Sequence, residues 1–243
     1  MKRTLTLLLA AALMFSATVL SSCDDADDII DPDDDVLENL VGDTDDDVYV
    51  TIAKGGIVLA YEDVDLRDAD NDGTLTVSDA LYLAHEEKYN GGASAGFASE
   101  MSDYGLSLTK LWGDESGSFG YTVNNVSCMS LADPVKAGDH IVAYVYTDTA
   151  TWSDIYCYFD KAELDINENA QFTLALTMNT YDAEWNTVQI PVEGARITIN
   201  GNTTDYVTDA NGKVTLSLTD DAIISAVSDT MTLVPPICSV DVD

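Results

Sequence analysis

The chain has 243 residues, of which 44 are acidic and 10 are basic, so its formal net charge is −34. This charge argues against nucleic-acid binding, because a phosphate backbone is bound by Lys and Arg side chains. It also disfavours electrostatic docking on anionic lipid, and it favours solubility and affinity for divalent cations. Adaptation to a high-salt habitat is a second explanation of the same charge balance.

The N-terminus has the organisation of a secretory signal. Two basic residues precede an apolar, uncharged run over residues 5–20, and a Leu-Ser-Ser-Cys sequence then ends at Cys23. The run is short for a bilayer span and is followed by acidic residues, which is typical of a cleaved signal peptide, residues 1–22. The Leu-Ser-Ser-Cys sequence resembles the bacterial lipobox, which implies that Cys23 is lipidated and anchors the protein in the cell envelope, outside the cytoplasm. An ordinary signal peptide with an unmodified Cys23 is the alternative.

An acidic linker is predicted over residues 23–47. The segment is dominated by aspartate, has little apolar content and repels itself, so we expect a disordered, extended tether. A solvated spacer is favoured here over specific capture of cations. The remaining residues 48–243 are numerous enough for one large or two small domains.

Residues 48–148 are predicted to form a sheet with one main helix. Strand-like runs at residues 48–53 and 57–64, joined by a Gly-Gly turn, indicate a β-hairpin. Apolar residues then recur at helical spacing, namely Val77, Ala80, Leu81 and Ala84. Thr76 and Asp79 fit a capping box at the start of this helix. Further strand-like runs follow at residues 106–108, 119–123 and 141–146, so the order predicts an α+β fold of β-grasp type.

Residues 149–243 lack a helical pattern. Short strand-like runs alternate with turn residues about every 8–12 positions, which is typical of a β-sandwich. In residues 195–199 and 214–218 apolar and polar side chains alternate, as in half-buried strands. The sequence therefore predicts a second, all-β domain of Ig-like sandwich type.

The most specific chemical pattern is a calcium-type loop at residues 68–79. It has carboxylates at loop positions 1, 3, 5 and 12 and a glycine, Gly73, at position 6. Ca²⁺ takes about six to eight oxygen ligands, and this spacing wraps oxygens around one point. The predicted ligands are Asp68, Asp70, Asp72, Thr74 through its carbonyl, Thr76 through its hydroxyl or a water, and Asp79. An Asp/Asn/Gly turn without an ion is the alternative.

This loop resembles the EF-hand loop and, because its last position is Asp79 rather than a glutamate, it is more similar to the dockerin loop. Dockerins carry two such loops, whereas the sequence has one, so the resemblance does not extend to binding of a cohesin partner. The implied role of Ca²⁺ is structural, at the start of the helix.

No enzymatic activity is predicted. His85, which we expect at the surface or boundary of the helix, and His140, at a strand start, lack the spacing of a zinc site. The chain contains no Gly-x-Ser-x-Gly elbow and no phosphate-binding glycine loop. Paired carboxylates carry no signal in so acidic a chain, and a Ser-His-Asp set assembled in space is the enzyme alternative.

The aromatic residues and the cysteines each leave alternatives open. Trp112, Tyr121 and Trp152 are candidates to line a flat ligand site, although packing in a core or between domains is the favoured explanation of such aromatic residues. Three cysteines follow the linker, namely Cys128, Cys157 and Cys238. An odd number allows at most one internal disulfide, for which the second and third are favoured, and free buried thiols are the alternative.

Two family resemblances extend this interpretation. Residues 104–113, 119–125 and 135–140 resemble the transcobalamin-like C-terminal domain family, which implies a β-grasp fold for residues 48–148. Some members of that family cover one face of a corrinoid, and many have no known ligand. Residues 191–199 and 208–216 resemble bacterial Ig-like repeats of the invasin and intimin kind, which act as spacers or adhesive modules. The predicted function is a non-catalytic, Ca²⁺-stabilised binding or adhesion lipoprotein whose partner is an extracellular protein, a glycan or a small molecule. Capture of a corrinoid or another tetrapyrrole is the alternative function.

Overall fold

A computed structural model describes residues 47–184 and 186–243, which are mostly β-strand with little helix. These residues belong to one compact unit that begins at residue 45. The predicted signal peptide, Cys23 and residues 23–46 of the predicted linker lie outside the described residues. Within the described part of the chain, no helix is long and apolar enough to cross a membrane.

The first half of the unit is built on a five-stranded mixed sheet. Its strands and an accompanying hairpin are β1 (Asp47–Ala53), β2 (Ile57–Asp65), β3 (Ala98–Ser102), β4 (Gly105–Lys110), β5 (Phe119–Val123), β6 (Val126–Ser127) and β7 (His140–Val145). The sheet order is β2-β1-β7-β5-β6, and β3 with β4 forms a separate antiparallel pair. β1 is antiparallel to β2, as predicted for the hairpin, and parallel to β7.

The parallel pairing of β1 with β7 requires a crossover connection, and this connection contains the helices. They are α1 (Val77–Lys88) and α2 (Ala93–Gly96). α1 begins where the capping box predicts it, and its apolar side chains are buried against the sheet. The short helix α2 has only four residues, which are too few to show a helical period in the sequence.

The second half contains two facing sheets. Its strands are β8 (Ile155–Phe159), β9 (Glu163–Ile166), β10 (Phe172–Tyr181), β11 (Thr187–Pro191), β12 (Arg196–Ile199), β13 (Asn202–Val207), β14 (Lys213–Leu216), β15 (Ala222–Val227), β16 (Leu233–Val234) and β17 (Cys238–Val242). One sheet has the order β11-β10-β8-β16, with β14 also paired to β10, and the other has the order β13-β12-β15-β17-β9. Pro235 and Pro236 separate β16 from β17, because proline has no N–H for a ladder.

The unit has two main apolar cores, one formed by residues before position 148 and the other by residues after it. The helix–sheet core joins α1 to the first sheet and includes Val50, Ile52, Leu81, Leu83 and Ile141. The sandwich core lies between the two later sheets and includes Leu174, Leu176, Ile197, Leu216 and Ile224. A smaller junction cluster, consisting of Ala53, Val142, Tyr144 and Val234, links the two halves. The hydroxyl of Tyr156 accepts a hydrogen bond from Thr122 at 3.0 Å across this junction.

The three cysteines of the described residues are free thiols. Cys157 and Cys238 are buried, and Cys128 is partly buried. Burial raises the pKa of the Cys157 thiol to about 12, because the thiolate would lose its hydration. Of the two alternatives drawn from the sequence, the structure therefore has the free buried thiols.

Candidate metal centre

The predicted calcium loop connects the end of β2 to the start of α1. Three of its carboxylates converge: Asp68, Asp70 and Asp79 each offer an oxygen, and these oxygens lie within 4.8 Å of one another. Hard divalent cations prefer carboxylate oxygens, so the chemistry of this set suits Ca²⁺. These three residues hold loop positions 1, 3 and 12 of the sequence pattern.

The loop backbone is folded around its own aspartates. The Asp68 carboxylate accepts hydrogen bonds from the N–H groups of Asp72 at 3.1 Å and Gly73 at 2.8 Å. The Asp70 Oδ1 accepts a second bond from the Asp72 N–H at 3.1 Å. Gly73 has φ = +90°, a conformation that glycine adopts without a steric penalty. The tight turn thus directs the side chains of positions 1 and 3 toward the same point.

Asp79 joins the loop to the helix. Asp79 is only 2% exposed, and its Oδ1 accepts a hydrogen bond from the Ala69 N–H at 2.9 Å. Its Oδ2 accepts bonds from the Thr76 N–H at 2.9 Å and the Thr76 hydroxyl at 2.6 Å. Each carboxylate oxygen has two lone-pair directions, so Oδ1 retains an acceptor site for a cation. One side chain therefore caps α1 and ties the second residue of the loop to its last.

The other predicted ligands are placed differently. Asp72 is exposed and lies outside the converging group, and its Oδ1 accepts a bond from the Thr74 N–H at 2.8 Å. The hydroxyl of Thr76 donates to Asp79 as part of the helix cap. Thr74 is exposed. The structure thus brings together three of the six predicted residues, and coordination by Asp72, Thr74 and Thr76 stays a prediction.

The electrostatics of the loop favour a bound cation. The N–H of Gly73 holds the pKa of Asp68 below its usual value. Asp70 behaves in the opposite way: partial desolvation, together with the negative charges of Asp72 and Asp79, raises its pKa. Among the salt bridges of the described residues, none involves Asp68, Asp70 or Asp79. A divalent cation would relieve the repulsion between these carboxylates.

The expectation that His85 lies at the surface or boundary of the helix is wrong. His85 is fully buried, and its Nδ1 lies 2.6 Å from the carbonyl oxygen of Leu81. The backbone N–H of Trp112 donates to Nε2 at 3.0 Å, so Nδ1 carries the proton and the ring is neutral. Burial accordingly lowers the pKa of His85. The residue is a structural link between α1 and the segment after β4.

The three aromatic candidates lie in separate environments. Trp112 is partly buried and packs against His85 and Tyr89, with ring centroids 5.1 Å away in both cases. Tyr121 is partly buried beside the helix–sheet core. Trp152 is 55% exposed and packs edge-on against Tyr146. The structure does not bring them together into one flat site, and corrinoid binding stays a prediction.

No protein-family model matches this chain, and no curated protein sequence matches it significantly. The transcobalamin-like and Ig-like resemblances therefore stay predictions.

His140 gives a testable pH dependence. Its Nε2 lies 2.9 Å from the Thr51 hydroxyl oxygen, and burial lowers its pKa from 6.5 to about 4. Since the folded pKa lies below the unfolded one, the unfolded chain binds this proton first as the pH falls. His140 thus has no effect above about pH 7 and destabilises the fold progressively between pH 6.5 and 4, by roughly 2–4 kcal/mol in total.

The measurement is the free energy of unfolding by urea at pH 7.5 and pH 4.5 for the wild type and His140→Gln. Many carboxylates also titrate in this range, so the informative quantity is the difference between the two proteins. We expect the wild type to lose more stability than the variant on acidification. If acidification lowers the free energy of unfolding equally in the wild type and His140→Gln, His140 does not contribute to the pH dependence of stability.

Proposed function

We propose that this chain is a lipid-anchored, non-catalytic binding protein of the cell envelope whose described unit is stabilised by Ca²⁺. The observation that carries the proposal is the convergence of the Asp68, Asp70 and Asp79 oxygens within 4.8 Å of one another. The lipid anchor at Cys23 and the extracytoplasmic location rest on the N-terminal sequence. Extracellular Ca²⁺ is available to a site on that side of the membrane.

The topology supports two domain types in the unit. A hairpin, a helical crossover and a central strand parallel to the first, in the order β2-β1-β7-β5-β6, is the arrangement expected of a β-grasp domain. Two facing sheets around one apolar core are the arrangement expected of an Ig-like sandwich. We propose these assignments for residues 48–148 and 149–243.

A structural role for the ion follows from the position of the loop. The loop joins an edge strand to α1, whose apolar side chains pack against the first sheet, and Asp79 belongs to both the loop and the helix cap. An ion held by Asp68, Asp70 and Asp79 would therefore fix the start of α1 against the helix–sheet core. We propose that the bound ion rigidifies this half of the unit for binding to a partner.

The proposal predicts a melting temperature that depends on Ca²⁺. At a free concentration about 100 times the dissociation constant, a ligand of the folded state adds about 2.7 kcal/mol. For a domain of this size that corresponds to a rise of about 5–10 °C over the value in EGTA. Asp70→Ala should abolish most of the rise, because it removes one of the converging carboxylates. Calorimetric melting with Ca²⁺ and with EGTA measures both values.

The design has two internal controls. Asp70 is exposed, and the Asp72 N–H keeps its bond to Asp68 in the variant, so Asp70→Ala should melt close to the wild type in EGTA. Asp103→Ala removes an exposed carboxylate outside the loop and should retain the full Ca²⁺ effect. Equal melting temperatures of the wild type in Ca²⁺ and EGTA would contradict the proposal, as would a full Ca²⁺ effect in Asp70→Ala.

A further inference from the structure

A cleft opens between the two halves of the compact unit, which we call the junction cleft. One wall is the β1–β2 turn and the start of β2, with Gly56, Ile57 and Ala60. The other wall is the outer face of β12 and β15, with Thr198, Ser225 and Val227. Its volume is about 440 Å³, within the range of small-molecule sites, which occur preferentially where domains meet.

The lining of the junction cleft differs from the rest of the molecule in its charge. Charged residues make up 22% of the chain, yet none of the residues that line the cleft is charged or is a histidine. Apolar side chains and glycine backbone form most of its surface. An ionic ligand would lose its hydration there and meet no opposite charge, which is costly. The cleft therefore selects for an uncharged, largely apolar molecule.

Two hydroxyl groups supply polarity inside the cleft. Thr198 and Ser225 face each other across β12 and β15 and are only 7% and 9% exposed. The preceding residues in each strand, Ile197 and Ile224, point into the sandwich core, so the side chains of Thr198 and Ser225 lie on the opposite face of the sheet. Neither hydroxyl has a hydrogen-bond partner among the described residues, although both residues are at least nine-tenths buried. Both hydroxyl oxygens are open to the cleft, where each can donate a hydrogen bond to a ligand oxygen.

The wall that carries these hydroxyls is held rigidly. The Asn200 Oδ1 accepts a hydrogen bond from the Ile223 N–H at 2.8 Å, and the Asn200 N–H donates to the Ile223 carbonyl oxygen at 2.8 Å. These two bonds fasten the β12–β13 turn to β15 beside the cleft. A site held in place before binding loses little conformational entropy when the ligand enters.

We propose that the junction cleft binds a small uncharged molecule that has an apolar body and a carbonyl or hydroxyl oxygen, which accepts hydrogen bonds from Thr198 and Ser225. This inference deepens the proposed function of a binding protein by naming a ligand class, and it rests on that function. It is independent of the calcium loop, which lies on other elements of the unit.

The test uses prodan, an uncharged naphthalene ketone whose emission shifts to the blue in apolar surroundings. The mature protein should bind prodan saturably, with a blue-shifted emission maximum. The anionic probe 1-anilinonaphthalene-8-sulfonate should bind at least tenfold more weakly, because the cleft has no cation and the chain is strongly acidic. Ala60→Phe fills part of the cleft and should weaken prodan binding at least tenfold.

A second variant keeps the proposal testable if Ala60→Phe does not fold. Thr198→Val with Ser225→Ala removes two hydroxyls that have no hydrogen-bond partner among the described residues, so the fold should keep its melting temperature. Prodan should bind about fivefold to tenfold more weakly, as expected for a lost hydrogen bond. Thr177→Val makes the same change on the other sheet, away from the cleft, and should leave prodan affinity unchanged.

Linear, unsaturable prodan fluorescence would overturn the inference, and so would equal affinity in the wild type and the Thr198→Val, Ser225→Ala variant. The same samples are melted with Ca²⁺ and with EGTA. A protein that is stabilised by Ca²⁺ but does not bind prodan overturns the cleft proposal and leaves the proposed function standing. Saturable prodan binding without any Ca²⁺ effect contradicts the calcium centre instead.

Discussion

Replacing Asp79 with alanine should lower the free energy of unfolding by about 3 kcal/mol even without Ca²⁺. The variant loses the capping box of α1, which is worth about 1 kcal/mol, and it leaves the N–H of Ala69 without its charged acceptor. For a domain of this size the melting temperature should fall by about 6–12 °C. Calorimetric melting in EGTA measures this effect apart from any bound ion.

A carboxylate elsewhere on the same helix provides the matched control. Glu87 is exposed near the end of α1, so Glu87→Ala should change the melting temperature by about 1–2 °C at most. The Asp79→Ala protein should also gain nothing from Ca²⁺, because one of the three converging oxygens is gone. If Asp79→Ala and the wild type have the same melting temperature in EGTA, Asp79 does not tie the loop to the helix.

Replacing Cys23 with serine should release the protein from the membrane almost completely. Burial of acyl chains contributes about 0.8 kcal/mol per methylene, and two or more chains hold a protein stably on a bilayer. The acidic chain has no electrostatic attraction to anionic lipid that would substitute for them. Expression with the native signal sequence, metabolic labelling with palmitate and membrane fractionation measure the change directly.

Cys128→Ser is the matched control, because Cys128 is a partly buried thiol of the described unit. It should remain labelled and membrane-bound. A Cys23→Ser protein that stays in the membrane fraction and still incorporates palmitate would refute the lipid anchor. Loss of labelling with retention in the membrane would point to a different anchor.

The start of α1 could be predicted from sequence because its signals are local. Thr76, Asp79 and the apolar repeat lie within a few residues of each other, and the structure has the cap and the helix where the pattern places them. The same stripe also contains His85, four residues after Leu81. The next residues, Glu86 and Glu87, are exposed, but helical geometry places His85 on the buried face.

Features that depend on contacts between distant segments had no sequence signal. Strand β9 pairs in parallel with β17 at the end of the chain, and only Leu164 and Ile166 in it are apolar, so its pattern is weak. The junction cleft forms between residues near position 57 and residues near positions 198 and 225. The calcium loop was partly predictable. The spacing of its carboxylates is visible in the sequence, but the hydrogen bonds from the N–H groups of Ala69 and Thr76 to Asp79 depend on the fold.

A calorimetric titration of the mature protein with Ca²⁺ tests the central claim most directly, with Asp70→Ala titrated in parallel. A structured loop and a diffuse acidic surface differ in stoichiometry, since the loop holds a single ion and the surface gives weak binding without a defined end point. We predict saturable binding of one Ca²⁺ per chain by the wild type and its loss in Asp70→Ala. A wild type without saturable binding, or a variant with the same stoichiometry and affinity, would contradict the account.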